Sequence, residues 1–281
     1  MDRQEDVVKV VKQWIVHPGR PAKLGKRDPG ATPGCPSKAQ AVEELPGMLE
    51  ELRALQYRLF AENRRTVLVV LQAMDAAGKD GLVRGVFSGL NPQGCTVTSF
   101  KAPSPEELHH DFLWRIHKAV PPHGEIGVFN RSHYEDVLVV RVHDLVPREV
   151  WKARYDQINA FENLLAANGV TLVKIYLHIS REEQKKRLLE RLDNPERNWK
   201  FSEADLAERK YWNDYEAAYE AALGRCSTPA APWHVIPADH KWYRNWAVAH
   251  LLLRTLRDMK LTYPAPRGDV ATLKRKLRAM K

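Results

Sequence analysis

The chain has little cysteine and no long apolar run. Its 281 residues contain three cysteines, Cys35, Cys95 and Cys226, which lie far apart. This spacing argues against a disulfide framework, and no Cys/His spacing resembles a zinc site. No apolar segment approaches the length that spans a membrane, and the opening residues MDRQEDVVKVVKQW do not resemble a secretory signal. We therefore expect a cytoplasmic protein with no membrane partner.

Negative charge is also in deficit. Lys and Arg total 44 against 35 Asp and Glu, which gives a formal net charge of +9. A basic chain favours an acidic partner, such as a nucleotide, another polyanion, nucleic acid or a membrane surface. Charge does not choose among these, but no helix-turn-helix, zinc-finger or RNA-recognition signature is visible in the sequence. The composition, with 44% hydrophobic and 28% charged residues, is that of an ordinary globular protein.

The pattern of apolar residues predicts an α/β fold. Apolar segments without polar alternation, typical of strands buried on both faces, are separated by segments with helical periodicity. The predicted strands are Thr66–Gln72, Thr96–Phe100, Glu125–Asn130, Thr171–Ile179 and Trp233–Pro237. The predicted helices include Ala39–Asn63, Glu106–Ala119, Arg148–Asn168 and Trp242–Met259. Such an order indicates a parallel sheet with helices on both faces, and ligands bind at the carboxyl ends of its strands.

Three regions of different composition suggest the domain organisation. Residues 1–40 are rich in Pro, Gly and basic residues and predict an irregular basic arm. Residues 41–262 carry the strands and helices and form the predicted main domain. Residues 263–281 are a basic tail.

The segment AMDAAGKD, from Ala73 to Asp80, is the most informative in the chain. It follows an apolar strand and precedes a helix, which is the layout of a P-loop, whose backbone N–H groups and lysine bind phosphate. Ala73 replaces the usual first glycine and Asp80 replaces the usual Ser or Thr. Asp75 can supply the oxygen ligand that a magnesium ion needs. The predicted phosphate-binding residues are Ala76, Ala77, Gly78, Lys79, Asp80 and Gly81.

A second polar segment, FNRSHYEDV, begins where the third predicted strand ends. Asn130 and Arg131 follow the strand directly, and Glu135 and Asp136 come soon after. In P-loop enzymes a neighbouring strand supplies an acidic group for the metal ion. The planar guanidinium of Arg131 suits phosphate oxygens, although a surface salt bridge is the alternative interpretation.

A third segment, Ser180 to Leu206, predicts a helix–loop–helix with several cations. Ser180 followed by Glu183 is a helix-capping pattern, and Arg187 and Arg191 share one helical face. Lys200 lies in the loop, and with Asn130 and Glu135 it completes the set of predicted nucleotide- and phosphate-binding residues. This pattern is typical of a lid, at about 181–225, that closes over phosphates and excludes water. A solvated amphipathic hairpin is the alternative.

These three segments together resemble the polyphosphate kinase 2 family: AMDAAGKDG (73–81), FNRSHYEDV (129–137) and RLLERLDNPERNWKFSEADL (187–206). The resemblance covers roughly residues 40 to 260. It implies a P-loop kinase fold, a three-layer sandwich similar to thymidylate kinase with a helical lid. It also implies transfer of the terminal phosphoryl group of inorganic polyphosphate to AMP or ADP, which gives ADP or ATP, with Mg²⁺ or Mn²⁺ as cofactor. In the reverse direction ATP would be the phosphoryl donor. Members often form homo-oligomers, so we expect one here.

The resemblance also implies roles for individual residues. Lys79 would be the P-loop lysine and Asp75 the carboxylate that helps to hold the metal ion. Arg131, Arg187 and Arg191 would act on the transferring phosphoryl group. Many members have Asp where this chain has Asn130, which leaves Glu135 or Asp136 as substitute acidic groups. The HYED form of the second motif resembles the subgroup that accepts AMP as well as ADP.

Two other functions remain open from the sequence. A nucleoside monophosphate kinase that uses ATP would share the P-loop, lid and fold, but Ala73 and Asp80 depart from its usual loop. A basic nucleic-acid-binding protein is permitted by charge alone. Comparison of ATP with polyphosphate as the phosphoryl donor distinguishes the first alternative from a polyphosphate kinase. Substitution of Lys79 would leave retention of RNA or DNA almost unchanged in the second.

Overall fold

The chain folds around one six-stranded sheet. The structure is a computed structural model that describes residues 10–35 and 37–280, without the side chain of Lys200. The strands are β1 (Ile15–Val16), β2 (Thr66–Ala73), β3 (Cys95–Ser99), β4 (Ile126–Asn130), β5 (Val170–His178) and β6 (Trp233–Pro237). Their spatial order is β1-β6-β5-β2-β4-β3. All neighbours pair in parallel except β1, which runs antiparallel to β6.

Helices surround this sheet. In chain order they are α1 (Lys38–Glu62), α2 (Lys79–Leu82), α3 (Pro105–Leu108), α4 (Trp114–Ala119), α5 (Val139–Val142), α6 (Arg148–Ala167), α7 (Arg181–Leu192), α8 (Glu203–Glu208), α9 (Trp212–Arg225), α10 (Lys241–Asp258) and α11 (Val270–Ala279). Helix α2 continues as a π-helical turn, Val83–Phe87. Short 3₁₀ turns include His133–Val137 and Asn198–Lys200. The predicted α/β sandwich is confirmed, and no described helix is long and apolar enough to cross a membrane.

The central strand shows why the sequence folds in this way. Every residue of β2 is buried, between β4 and β5. Because neither face of the strand is exposed to solvent, its side chains are apolar and β-branched on both faces, and the sequence lacks polar alternation. In the register of the sheet Leu71 lies opposite Asn130, and Ala73 lies opposite Leu177. The P-loop and the FNRSHYEDV segment therefore leave the sheet at the same edge.

Two predicted helices differ from the structure. The helix predicted over Glu106–Ala119 is wrong in its middle, because a turn separates α3 from α4. Asp111 causes the break: its carboxylate accepts the N–H of Leu113 at 2.9 Å and competes with the helix for that donor. Pro46 lies well inside α1, neither in its first turn nor at a break.

The basic N-terminal segment contacts the sheet over its described part. Residues 1–9 and Pro36 of the predicted arm lie outside the described residues. Trp14 and Val16 are buried, and Ile15–Val16 form the edge strand β1. The guanidinium of Arg27 donates to four carbonyl oxygens of this segment, those of Gln13, Trp14, Ile15 and Ala22. A two-residue strand carries no periodic signal, so the sequence alone does not reveal it.

Candidate active site

The P-loop connects β2 to α2. Ala76 and Gly78 adopt left-handed backbone conformations, with φ of 60° and 102°. Ala73, at the position of the usual first glycine, is still in the extended strand β2, where alanine fits without strain. The Nζ of Lys79 donates to the carbonyl oxygen of Ala73 at 2.9 Å. The lysine therefore curls back over the loop that precedes it.

Charges of both signs surround this lysine. Burial lowers the pKa of the Lys79 ammonium, and the nearby Asp75 carboxylate opposes that shift. Asp75 Oδ1 lies 3.0 Å from the guanidinium of Arg131, and both side chains are partly exposed. Burial acts to lower the pKa of Arg131, but the carboxylates of Glu135 and Asp75 raise it overall. Arg131 has a left-handed φ of 63°, a conformation that is uncommon for non-glycine residues.

A second contact joins the P-loop to the end of β4. Asn130 Nδ2 donates to Asp80 Oδ1 at 2.9 Å. Asp80 follows Lys79 directly, at the position where the usual pattern has a hydroxyl residue. The amide of Asn130 and the carboxylate of Asp80 thus lie together beside the lysine.

A cavity of about 1100 Å³ opens onto this edge of the sheet. Its wall includes Asp75, Ala76, Gly78, Lys79, Asp80 and Gly81 of the P-loop. Asn130 and Arg131 line it from the end of β4. Arg187, Arg191 and Arg197 line it from the predicted lid, and Lys241 and Arg244 line it from α10. With Arg84 and Lys101, nine cations face five carboxylates, so the cavity suits an anion with several charges.

The two predicted lid arginines have different environments. Arg187 is almost completely buried. Its five N–H groups all meet protein oxygens, on Glu183, Ala76, Ala77, Ala238 and Asp239, at 2.6–3.3 Å. Arg187 therefore holds the P-loop carbonyls in place. Arg191, one turn further along α7, is partly exposed and lines the large cavity.

A smaller cavity of about 270 Å³ lies on the other side of Asp75 and Arg131. These two residues and Asp205 line both cavities. Its other walls include aromatic and acidic side chains, those of Trp212, Tyr215, Tyr219, Glu135 and Glu208, together with Arg209 and apolar residues. Tyr215 donates to Glu208 at 2.8 Å. The predicted site residue Glu135 thus belongs to the smaller cavity, not to the large one.

The HYED residues point in different directions. His133 and Tyr134 are completely buried. Tyr134 Oη donates to Glu162 Oε1 at 2.8 Å, and His133 Nε2 lies 3.2 Å from the same oxygen. Lys174 of β5 completes this network with contacts to Tyr134, Glu162 and the carbonyl of Cys226. His133 and Tyr134 therefore anchor the segment that carries Arg131.

The structure does not bring Asp136 to either cavity. Asp136 is buried and accepts from the guanidinium of Arg154 at 3.1 Å. Burial raises the pKa of Asp136 to about 6, against the effect of Arg154. The geometry favours Asp75 and Asp80 over Asp136 as carboxylates near the phosphate loop.

The donor set at the loop fits a hard divalent cation. Mg²⁺ is usually bound by one or two carboxylates, with substrate phosphates and water completing its coordination. Asp75 and Asp80 supply two carboxylates on the wall of the large cavity. Among the described residues no group of three or more His, Cys, Asp or Glu forms a ready-made metal site.

Sequence reasoning missed Arg244. This residue is buried, yet its guanidinium lines the large cavity beside Ala77 and Gly78. One signal was present, because Arg244 has helical spacing to the buried Ala247, Val248 and Leu251 and so falls on the core face of α10. The predicted phosphate ligand Lys200 has a side chain outside the described part of the chain.

Comparisons with known proteins agree with this geometry. Residues 36–264 match the family model described as polyphosphate kinase 2. The chain is 51% identical over 257 residues to the AMP/ADP-polyphosphate phosphotransferase of Meiothermus ruber, covering 91% of this chain and 96% of the relative. It is 48% identical to the ADP-polyphosphate phosphotransferase of Rhodopseudomonas palustris, covering 90% and 92%. The crystal structure of polyphosphate kinase 2 from Arthrobacter aurescens superposes with a TM-score of 0.93 at 45% identity, covering 98% of this chain and 97% of that one. The resemblance inferred from three short segments is confirmed, and the chain belongs to the polyphosphate kinase 2 family.

Proposed function

We propose that this protein transfers the terminal phosphoryl group of inorganic polyphosphate to AMP and to ADP, reversibly, and so forms ADP and ATP. One observation carries the proposal: a P-loop separates a large basic cavity from a small aromatic one. The names of the relatives from Meiothermus ruber and Rhodopseudomonas palustris support polyphosphate and adenine nucleotides as substrates. The HYED segment supports AMP as an acceptor beside ADP.

The large cavity is the proposed donor site. Its cations extend from Lys79 of the P-loop to Lys101 beyond β3 and Arg197 of the lid. Polyphosphate carries about one negative charge per phosphate and needs cations along its whole length. A nucleotide donor would concentrate its charge near the loop. The spread of cations therefore favours polyphosphate over ATP as the donor.

The small cavity is the proposed acceptor site. Aromatic rings of Trp212, Tyr215 and Tyr219 supply faces on which a base can stack. Asp75 and Arg131 line both cavities, so the acceptor phosphate would meet the donor terminus beside them. The guanidinium of Arg131 can bind two oxygens of a phosphate at once.

The reaction is an in-line displacement. An oxygen of the nucleotide phosphate forms a bond to the terminal phosphorus of polyphosphate, and the bond from that phosphorus to the bridging oxygen breaks. The shortened polyphosphate leaves with the bridging oxygen and its electron pair. No general base is needed, because the attacking phosphate oxygen is already ionised at neutral pH. Lys79 and Arg131 stabilise the charge on the transferring group, Arg191 does so from the lid, and Arg187 keeps the loop carbonyls in position.

Asp75 and Asp80 would hold Mg²⁺, or Mn²⁺ in its place. The metal ion, when bound, neutralises phosphate oxygens and so lowers the repulsion between donor and acceptor. The carboxylate of Asp75 also pairs with Arg131 and sets the position of that guanidinium. Asp136 would not bind the metal ion; it supports this segment through its contact with Arg154.

The test is coupled formation of ATP by the purified protein with Mg²⁺ and long-chain polyphosphate. ADP and AMP are supplied separately, with Lys79→Ala as the control. ATP from ADP that disappears in the variant supports the kinase, and ADP and ATP from AMP support the wider acceptor range. Activity from ATP plus a nucleoside monophosphate, with none from polyphosphate, would establish the ATP-dependent kinase instead. Retention of nucleic acid without any phosphotransfer would favour the second alternative.

Assembly and location are further parts of the proposal. A homo-oligomer stays a prediction of the resemblance, and light scattering coupled to size-exclusion chromatography measures it directly. A cytoplasmic location and the absence of nucleic-acid and membrane partners stay predictions of the sequence.

A further inference from the structure

Arg244 lies in the first turn of α10 with its guanidinium against the P-loop. The residue is 3% exposed, although its side chain lines the large cavity. A Cβ atom added to Gly78 would lie 2.0 Å from Arg244 Nη1, and one added to Gly81 would lie 3.3 Å from Nη2. The guanidinium therefore occupies the space that the absent side chains of these glycines leave. The φ of 102° at position 78 favours glycine, because other residues rarely adopt this backbone conformation.

The hydrogen bonds of Arg244 differ from those of its neighbour Arg187. Arg187 has five N–H groups with protein acceptors, including the carboxylate of Glu183. Arg244 donates from Nε and Nη2 to the amide oxygen of Asn245, at 3.1 and 2.9 Å, and from Nη1 to the carbonyl of Ala77 at 3.4 Å. An arginine has five N–H donors. Three of them have acceptors among the described residues, so two are left for a ligand.

The charges at this point are not balanced by the protein. Burial, and to a smaller extent the charge of Arg187, lower the pKa of Arg244 to about 10. Both guanidiniums contact the carbonyl of Ala77. Glu183 pairs with Arg187, and no carboxylate within residues 10–35 and 37–280 forms an ion pair with Arg244. Buried charges are normally paired, because removal of an ion from water costs several kcal/mol.

We propose that Arg244 binds a phosphate of the polyphosphate donor at the P-loop and so serves as a donor-site residue. The inference rests on the proposed function and adds a residue to its site. A phosphate oxygen supplies the negative charge that the protein does not. The planar fork of arginine suits two phosphate oxygens, and a lysine cannot reproduce that geometry. Arg187 then holds the loop from behind while Arg244 contacts the anion.

The test compares Arg244→Met, Arg244→Lys and a control, Arg257→Met. Arg257 lies on the same helix, pairs with Glu51 at 2.5 Å and lines neither of the two cavities. Binding of tripolyphosphate without nucleotide is measured by calorimetry and thermal shift, and the KM values for polyphosphate and ADP are measured separately. We expect Arg244→Met to weaken tripolyphosphate binding and raise the polyphosphate KM by about 30-fold or more, because it removes the charged partner of a buried phosphate.

The other readouts separate binding from structural support. Arg244→Lys keeps the charge and should restore part of the affinity. The ADP KM should stay within about twofold in both Arg244 variants, and Arg257→Met should match the wild type. Without ligand, Arg244→Met should melt at the wild-type temperature or above it, because an unpaired buried charge is gone.

Several outcomes would overturn the inference. Wild-type affinity for tripolyphosphate in Arg244→Met would do so, and so would equal losses for ADP and tripolyphosphate together with a lower melting temperature. A wild-type protein that does not bind tripolyphosphate would also refute it. Tripolyphosphate binding that depends on Arg244, in a protein that makes no ATP from ADP, would sink the proposed function and leave the Arg244 site standing.

Discussion

Two lysines, Lys79 after the end of β2 and Lys174 in the middle of β5, have opposite surroundings. Lys79 is partly exposed, lines the large cavity and donates to one backbone carbonyl. Lys174 is completely buried and donates to Tyr134, Glu162 and the carbonyl of Cys226. An ammonium has three donors, so Lys174 is saturated by the protein whereas Lys79 has capacity for a ligand. The comparison indicates that a charged residue with spare donors in a cavity serves chemistry, whereas a saturated buried one serves the fold.

The FNRSHYEDV segment joins these two regions. Asn130 and Arg131 lie on the wall of the large cavity, whereas His133 and Tyr134 contact Glu162 in the core. Burial acts to raise the pKa of Glu162, but Lys174 and His133 lower it overall. The buried network therefore fixes the His133–Tyr134 end of the segment, and the Asn130–Arg131 end lines the proposed donor site. Matched substitutions in the two regions can separate these roles.

The largest effect is expected from Lys79→Met. Loss of the ammonium removes charge stabilisation from the transferring phosphoryl group, so kcat/KM with polyphosphate and ADP should fall about 10³-fold or more. Stability should change by less than about 0.5 kcal/mol, because the side chain is not part of the core. Initial rates and urea unfolding measure the two quantities. A substantial loss of stability in this variant would break the comparison.

The same substitution at the buried lysine should have the reverse effect. Lys174→Met leaves the Glu162 carboxylate buried without its cation, which should cost about 3–5 kcal/mol in the free energy of unfolding. Below its melting temperature the variant should keep kcat within about tenfold of the wild type, because Lys174 lines neither cavity. The double variant Lys174→Met/Glu162→Gln serves as the control and should recover part of the stability. No recovery would mean that Glu162 is not the source of the loss.

A buried histidine gives the structural region a pH dependence. His234 lies in β6 with Nδ1 3.2 Å from the carbonyl oxygen of Lys174. Burial lowers the pKa of His234 from 6.5 to about 4, against the effect of that hydrogen bond. The unfolded chain therefore binds a proton near pH 6.5 and the folded chain does so only near pH 4. The stability from the neutral imidazole is present above pH 6.5 and is lost as the pH falls through about 4.

The difference in unfolding free energy between wild type and His234→Gln should therefore fall by about 3 kcal/mol from pH 7 to pH 4. Urea unfolding of both proteins at several pH values measures this difference. A constant difference across that interval would show that the histidine does not stay neutral in the core. The variant with glutamine keeps a side-chain donor near Lys174, so loss of the hydrogen bond does not confuse the result.

The sequence predicts the site better where spacing and strand order decide the contact. Lys79, Asp75 and Arg131 converge because parallel strands end at one edge of the sheet. The apolar pattern of the sequence is enough to predict those strands and where they end. The approach of Arg244 to Gly78 depends on how α10 packs against the P-loop across 165 intervening residues, for which no local pattern exists. Asp136 shows the opposite case, since its place in the motif suggested a metal ligand and its side chain turns to Arg154.

The same contrast applies to the fold. The sequence predicts strands β2 and β5 to within one residue at each end, because long buried strands leave a clear apolar signal. The break between α3 and α4 was missed, because it depends on one carboxylate that competes for a backbone N–H. One such hydrogen bond contributes only about 1 kcal/mol, and the spacing of apolar residues carries no information about it.

The smallest predicted effect distinguishes the two cavities through two tryptophans. Trp212 lines the small aromatic cavity and Trp199 lines the large basic one. If the base stacks in the small cavity, Trp212→Leu should raise the KM for AMP and ADP about tenfold, the typical value of one stacking contact, and leave the polyphosphate KM unchanged. Trp199→Leu is the matched control and should leave the nucleotide KM values unchanged. The reverse result, a nucleotide KM that responds to Trp199 and not to Trp212, would place the base in the large cavity. The cations there would then serve the nucleotide phosphates, and the division of donor and acceptor between the two cavities would be wrong.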